Sequence, residues 1–341
     1  MPGRLADRDP RPDPQRLLDD LVPPPHFAGV SFDGYRPDPA EPSQLAALER
    51  LRAFAGELTA SAQPSGRRLL RRPPRRPDGL PGIYLDGGFG VGKTHLLASL
   101  WHTAPAPKTF GTFVELTHLV GALGFGQAVE RLSTRRLVCI DEFELDDPGD
   151  TVLMSTLLAR LVEAGVRVAA TSNTLPDALG EGRFAAEDFL REIQALSARF
   201  EVLRINGEDY RHRGLAQAPG PVTDEQARAW AQGAPGRTCD EFDTLCAHLA
   251  TVHPSRYGAL VDGVRGVALT GLHQVSDQNV ALRLVVLADR FYDRDVPVVV
   301  SGGRLADLFT PDMLRGGYRK KYLRTLSRLT ALAREAGTAL G

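Results

Sequence analysis

Gly87-Gly88-Phe89-Gly90-Val91-Gly92-Lys93-Thr94 follows the apolar run Ile83-Tyr84-Leu85 and precedes Leu97, Leu100 and Trp101, which recur at helical spacing. Gly87-x4-Gly92-Lys93-Thr94 is the pattern of a phosphate-binding loop between a strand and a helix. Glycines let the backbone curl until its N–H groups converge on phosphate oxygens at the helix N-terminus. Lys93 then supplies a point charge for the outer phosphates, and the Thr94 hydroxyl is placed to ligate Mg2+. Gly87, Gly88, Phe89, Gly90, Val91, Gly92, Lys93, Thr94 and His95 are the candidate nucleotide-binding segment. A chance glycine-rich turn would not require this flanking strand and helix.

Working outward, short apolar runs alternate with helical patterns, the signature of a parallel sheet covered by helices. Strands are expected at 83–86, 109–114, 137–141, 166–172 and 202–205, with Met154, Leu157, Leu158 and Leu161 as one helical stripe between them. Upstream, Leu51, Phe54, Ala55 and Leu58 mark a helix with Ser43 as expected N-cap.

Leu137-Val138-Cys139-Ile140-Asp141-Glu142 is an apolar strand ending in two carboxylates, a Walker B pattern at the sheet edge that binds ligands. Asp141 would hold Mg2+, and Glu142 would orient and activate the water that attacks the γ-phosphate. Ala169-Ala170-Thr171-Ser172-Asn173 ends the next strand in polar residues, which brings Asn173 near the γ-phosphate if that strand neighbours the loop strand. The alternative for Asn173 is a simple strand-end cap. Together these features specify an α/β P-loop NTPase of AAA+ type: a five-stranded parallel sheet with helices on both faces, plus a smaller C-terminal α/β lid.

The 341 residues suit about two domains: a flexible arm at 1–25, an ATPase core at 26–212, a linker at 213–237 and the lid at 238–341. Repeated Asp-Pro, Arg-Pro and Pro-Pro steps motivate the arm, and Gly, Pro, Ala and Gln the linker. In the lid, Leu284, Leu287, Ala288 and Phe291 share a helical face, with a strand at 296–300 and a last helix at 319–335. Forty-one basic against forty-two acidic residues leave no global field to draw in nucleic acid or membrane. Residues 67–76 carry six arginines, a run that invites a nucleic-acid or anionic-lipid reading; the alternative is a solvated, mobile insertion, which the lack of interleaved aromatic residues to stack bases favours. Residues 1–25 lack the apolar core of a signal peptide and no run approaches the ~20 residues of a membrane span. The expectation is a cytoplasmic protein, with any membrane contact peripheral. Cys139, Cys239 and Cys246 do not form a paired metal or redox unit.

Asp141-Glu142-Phe143, Asp147-x2-Asp150, Thr171-Ser172-Asn173 followed by Pro176, Asp209-Tyr210-Arg211, Leu287-x-Asp289-x2-Tyr292-Asp293 and Arg324-Thr325-Leu326-Ser327-Arg328-Leu329 together resemble the ZapE family of AAA+ ATPases. That resemblance spans residues 27–332. It implies ATP and Mg2+ as cofactors and ATP-driven remodelling of a protein client at the cell-division ring, the polymer-forming FtsZ among the candidates. It also implies a nucleotide-dependent homo-oligomeric ring, at the inner face of the plasma membrane or division site. Mitochondrial relatives act at the inner membrane in protein quality control.

The chain departs from the family pattern in two places. Residues 108–114 replace an aromatic and histidine-rich strand, and Ala186 stands where relatives carry an arginine shortly before a Phe-Leu pair, here Phe189-Leu190. An arginine acting on a neighbour's γ-phosphate is worth about 10³ to 10⁵ in rate, and Arg183 is the preferred replacement, with Arg191 second. Arg324 and Arg328, four apart on one helical face, are candidates to reach the nucleotide from the lid; the alternative is an ordinary basic face beside Arg319, Lys320 and Lys321. Two other functions stay open: a DNA-acting ATPase of helicase-loader type, and a nucleotide-switched scaffold without turnover.

Overall fold

A computed structural model of the chain describes residues 2–10, 18–19, 21–62, 82–88, 90–145, 148–176, 179, 190–207 and 218–338. The chain divides into two compact units. The P-loop unit takes Pro14–Pro23 and Phe27–Arg213, and the C-terminal unit takes Met1–Asp13, Pro24–His26 and Gly214–Gly341.

The P-loop unit runs α1 (Pro42–Ala62), β1 (Gly82–Gly87), α2 (Lys93–Thr103), β2 (Lys108–Thr112), α3 (Phe113–Leu123), α4 (Phe125–Ser133), β3 (Leu137–Asp141), α5 (Pro148–Glu163), β4 (Arg167–Ser172), α6 (Leu190–Ser197) and β5 (Phe200–Ile205). The five strands pair in the order β2-β3-β4-β1-β5, and every pairing is parallel. Successive strand side chains point to opposite faces, and both faces are covered. Tyr84, Val138, Ile140, Val168 and Ala170 pack with α3, α4 and α5 residues such as Leu119, Leu132 and Leu158. Ile83, Leu85, Cys139 and Ala169 pack with Phe54 of α1 and Leu97 of α2. Burial on both sides explains why these strands read as continuous apolar runs. Leu96, Leu97 and Leu100 are fully buried, each contributing about 1.5–3 kcal/mol, and so fix α2 and the loop before it.

Two local expectations are corrected. β2 stops at Thr112 rather than 114, because Thr112 caps α3: its hydroxyl accepts the Glu115 N–H at 3.2 Å while Glu115 accepts the Thr112 N–H at 2.7 Å, a reciprocal capping box. Ser43 lies inside the first turn of α1 and is not its cap, since its hydroxyl accepts the Asn206 N–H at 2.9 Å.

The C-terminal unit contains α7 (Asp224–Gln232), β6 (Arg237–Glu241), α8 (Phe242–Thr251), α9 (Tyr257–Leu260), β7 (Gly266–Leu272), α10 (Gln278–Asp293), β8 (Val298–Gly302) and α11 (Arg319–Thr338). Its three strands form a parallel sheet in the order β6-β7-β8. The expected linker at 213–237 therefore holds a helix: Thr223 and Gln226 form a capping box, and Ala227, Trp230 and Ala231 are buried with Ala268 and Val299 of the sheet.

The arm also differs from expectation. Gly3 bridges Thr238 in parallel, Leu5 is fully buried in the core of the C-terminal unit, and the Leu5 and Ala6 N–H groups donate to Asp240 at 3.0 and 2.9 Å. Leu18 and Leu21 are buried in the P-loop unit, where the Leu21 carbonyl accepts the Phe110 N–H at the β2 edge. A few leucines with strand-edge bonds outweigh the proline-rich composition. The arginine run at 67–76 lies outside the described residues. Among the described residues no helix is long and apolar enough to cross a membrane.

Candidate active site

β1 ends at Gly87 against β5, where an added Cβ would lie 2.3 Å from the Ile205 carbonyl oxygen, so only glycine lets the chain leave the sheet there. Gly92, the residue before α2, has φ 87°, and a Cβ on it would meet the Tyr35 ring at 2.6 Å. The loop is thus shaped by contacts on two sides before any ligand is considered.

The loop places Lys93 at the head of α2. Its Nζ donates to the Gly87 carbonyl at 2.7 Å, to the Gly88 carbonyl and to Asn173 Oδ1 at 2.8 Å. The strand order β3-β4-β1 produces this meeting, because the ends of β3 and β4 fall beside the end of β1. Thr94 Oγ1 donates toward the Asp141 carboxylate, 3.1 Å from each oxygen. Asp141 is 6% exposed, and Thr171 Oγ1 also donates to its Oδ1. Glu142 follows at φ 53°, a left-handed conformation that costs a non-glycine residue about 1–2 kcal/mol. Its N–H donates to Thr171 Oγ1 at 3.0 Å.

A hydroxyl beside a carboxylate is a donor set of hard oxygens, the kind Mg2+ takes when one or two carboxylates and substrate phosphates complete its shell. Thr94 and Asp141 fit that demand. Among the described residues no group of three or more His, Cys, Asp or Glu side chains could hold a metal ion by itself, so phosphate oxygens would have to supply the remaining ligands. Beneath them, Cys139 is inert: burial pushes its thiol well above the ordinary range, and the Asp141 charge adds to this.

The structure brings Gly87, Gly88, Gly90, Val91, Gly92, Lys93, Thr94, Asp141, Glu142 and Asn173 to one end of the sheet; Phe89 and Arg183 lie outside the described residues, as do Asp147, Ala186, Phe189, Asp209, Tyr210 and Arg211. Arg191 is exposed in the first turn of α6. His95 is turned to the segment before α1, its Nε2 3.0 Å from the Ser31 carbonyl and its ring 5.7 Å from that of Tyr35. Arg324 and Arg328 are neither exposed nor an ordinary basic face. Arg324 pairs with Asp289 Oδ2 at 2.9 Å and Arg328 with Asp289 Oδ1, and the Arg328 guanidinium lies over the Tyr292 ring.

Three supporting residues stand outside the candidate set. The Tyr35 hydroxyl donates to the Val91 carbonyl at 3.0 Å. Gln44, almost fully buried, donates to the Asn206 carbonyl and accepts the Asp38 N–H, at 2.9 and 2.8 Å. Thr171 links Asp141 to Glu142. Only Thr171 had a readable signal, a hydroxyl residue on the strand beside Asp141.

The sequence model of the AFG1-like ATPase family matches residues 12–234 and 222–338, nearly the whole chain. Cell division protein ZapE of Escherichia coli (strain K12) is 27% identical over an alignment of 365 residues, covering 91% of this chain and 95% of that protein. An uncharacterised protein of Schizosaccharomyces pombe is 30% identical over 154 residues, 39% of this chain and 34% of its own length. Among solved structures, the crystal structure of DnaI aligns with a TM-score of 0.41 and 16% identity, covering 56% of this chain and 97% of that one. With a P-loop, a Walker B pair and a matching profile along its length, the chain belongs to the AFG1-like ATPase family and is an ATPase.

Proposed function

We propose that this ATPase couples Mg2+-dependent ATP hydrolysis to the remodelling of a protein client at the cell-division ring. The observation that carries the chemistry is the convergence of Lys93, Thr94, Asp141, Glu142 and Asn173 on one sheet edge, with bonds of 2.8–3.1 Å linking Lys93 to Asn173 and Thr94 to Asp141. In this reading the loop N–H groups and Lys93 hold the phosphates. Lys93 exchanges its bonds to Gly87, Gly88 and Asn173 for phosphate oxygens. Thr94 and Asp141 hold Mg2+, which when bound neutralises charge on the phosphate oxygens. Glu142 orients the water and takes its proton. Asn173, released from Lys93, donates its amide toward the γ-phosphate and reports its presence to β4.

The client assignment rests on the similarity to a protein named for cell division. FtsZ or another division-ring component is the expected client, and a nucleotide-dependent homo-oligomer the expected working form. Arg183 is the arginine assigned to a neighbouring copy's γ-phosphate, with Arg191 as its substitute. Arg324 and Arg328 pair with Asp289, so a nucleotide-sensing role for either arginine requires it to exchange that carboxylate for phosphate.

Steady-state phosphate release against protein concentration tests the reading. Turnover per subunit should rise with concentration, fall by about 10²-fold or more in Glu142→Gln, and fall in Arg183→Ala only where copies associate. ATP-dependent co-sedimentation of the Glu142→Gln protein with FtsZ polymers tests the client. Sedimentation indifferent to ATP would remove that assignment and leave the ATPase standing.

A further inference from the structure

Thr171 is where the two acidic positions of the site are joined. It stands on β4 between β3 and β1, in register with Leu85. Pairing between β3 and β4 ends one step before it, at Ile140 opposite Ala170. Past that step Thr171 itself replaces the ladder. Its hydroxyl donates to Asp141 Oδ1 and accepts the Glu142 N–H at 3.0 Å, while its carbonyl accepts the Phe143 N–H at 2.7 Å. A hydroxyl suits both tasks at once, having one proton to give and lone pairs to receive.

Between these bonds from the Glu142 and Phe143 N–H groups, Glu142 holds φ 53°, a conformation that persists only where its surroundings over-determine it. Burial of Phe143, packed edge-on against Phe113 and Tyr84, pins one side of the bend. Thr171, only 2% exposed, pins the other.

We infer that Thr171 is a positioning residue for ATP hydrolysis: it fixes the Asp141 carboxylate beside Thr94 and holds Glu142 in the backbone conformation that aims its side chain. The inference rests on the proposed roles of Asp141 and Glu142. Loss of a partner one step removed from a metal ligand commonly costs about 10- to 100-fold in activity.

The test uses the full chain as wild type, Thr171→Val, Thr171→Ser and Glu142→Gln. Valine keeps the shape and removes the hydroxyl; serine restores it. Thr171→Val should lower kcat about 10- to 100-fold, while affinity for a fluorescent ATP analogue without Mg2+ stays within about threefold of wild type. Thr171→Ser should recover most of the turnover. Amide exchange in the peptide 137–145 should quicken in the valine variant and not in the serine variant, a readout independent of hydrolysis.

Wild-type kcat in Thr171→Val, loss of metal-free nucleotide binding in step with turnover, or no rescue by serine would overturn the inference. Glu142→Gln separates the two levels. If it turns ATP over like wild type, the reading of the acidic pair fails and takes Thr171 with it. If it is silent while Thr171→Val is normal, only the Thr171 inference fails.

Discussion

At the scale of the residue, the loop depends on what two glycines lack. Gly92 combines φ 87° with the Tyr35 ring 2.6 Å from where a Cβ would stand. Gly92→Ala adds the left-handed cost of about 1–2 kcal/mol and pushes Tyr35 off the Val91 carbonyl. Nucleotide affinity, read by titration with a fluorescent ATP analogue, should fall about tenfold or more. Gly121 in α3 is the control, since a Cβ there meets nothing within 4 Å. Gly121→Ala should leave affinity alone and stabilise by up to about 1 kcal/mol. Equal affinities in the two variants would mean that Gly92 is conformationally ordinary. Gly87 and Gly92 were legible in the sequence as a pattern, because phosphate binding leaves few other residue types at their spacing. That Tyr35 is the atom group behind Gly92 was not legible, since 57 positions of chain separate them and no periodicity encodes the contact.

At the scale of the element, α10 and α11 are clasped by one carboxylate. Burial alone would raise the Asp289 carboxyl, but Arg324 and Arg328 more than offset this and hold it below its ordinary value. A carboxylate with a depressed folded pKa contributes stability that is present above its unfolded pKa and lost as pH falls through the folded one. Wild type should therefore lose stability on acidification below about pH 4, and Asp289→Asn should flatten that limb. At neutral pH the variant should lose about 3 kcal/mol, because two arginines are left without their carboxylate. Urea titrations across pH check both; parallel acid limbs in the two proteins would discount the clasp. The strings Leu287 to Asp293 and Arg324 to Leu329 were visible as motifs. Their meeting was not, because it depends on how two helices pack across the loop and strand between them. Strand and helix bodies were legible from their periods, whereas the end of β2 was decided by Thr112 as a cap.

At the scale of the whole molecule, the N-terminal residues belong to the C-terminal unit, so its fold is assembled from both ends of the chain. Composition concealed this: prolines and charges surround Leu5, and sequence reading weighs the neighbourhood before the single side chain. The structure weighs contacts instead. Leu5 is fully buried with Phe242, Leu245 and Leu249, Arg8 reaches the carbonyls of Leu260 and Asp262 at 2.8 Å, and Asp240 collects two N–H groups. Burial pushes the Asp240 carboxyl up, while the Ala6 and Leu5 bonds pull it back, so a free carboxylate in that place would be costly without the arm. Leu5→Ala should remove about 2–5 kcal/mol from the C-terminal unit and leave nucleotide affinity unchanged, since Leu5 is packed in the core of that unit and the loop belongs to the P-loop unit. Calorimetry of the full chain would show the transition of that unit moved down by several degrees while ATP still protects the other. If Leu5→Ala melts as wild type does, the stretch around Leu5 contributes no packing to that unit. If instead affinity for ATP falls with stability, the two units unfold together and the arm supports the whole protein.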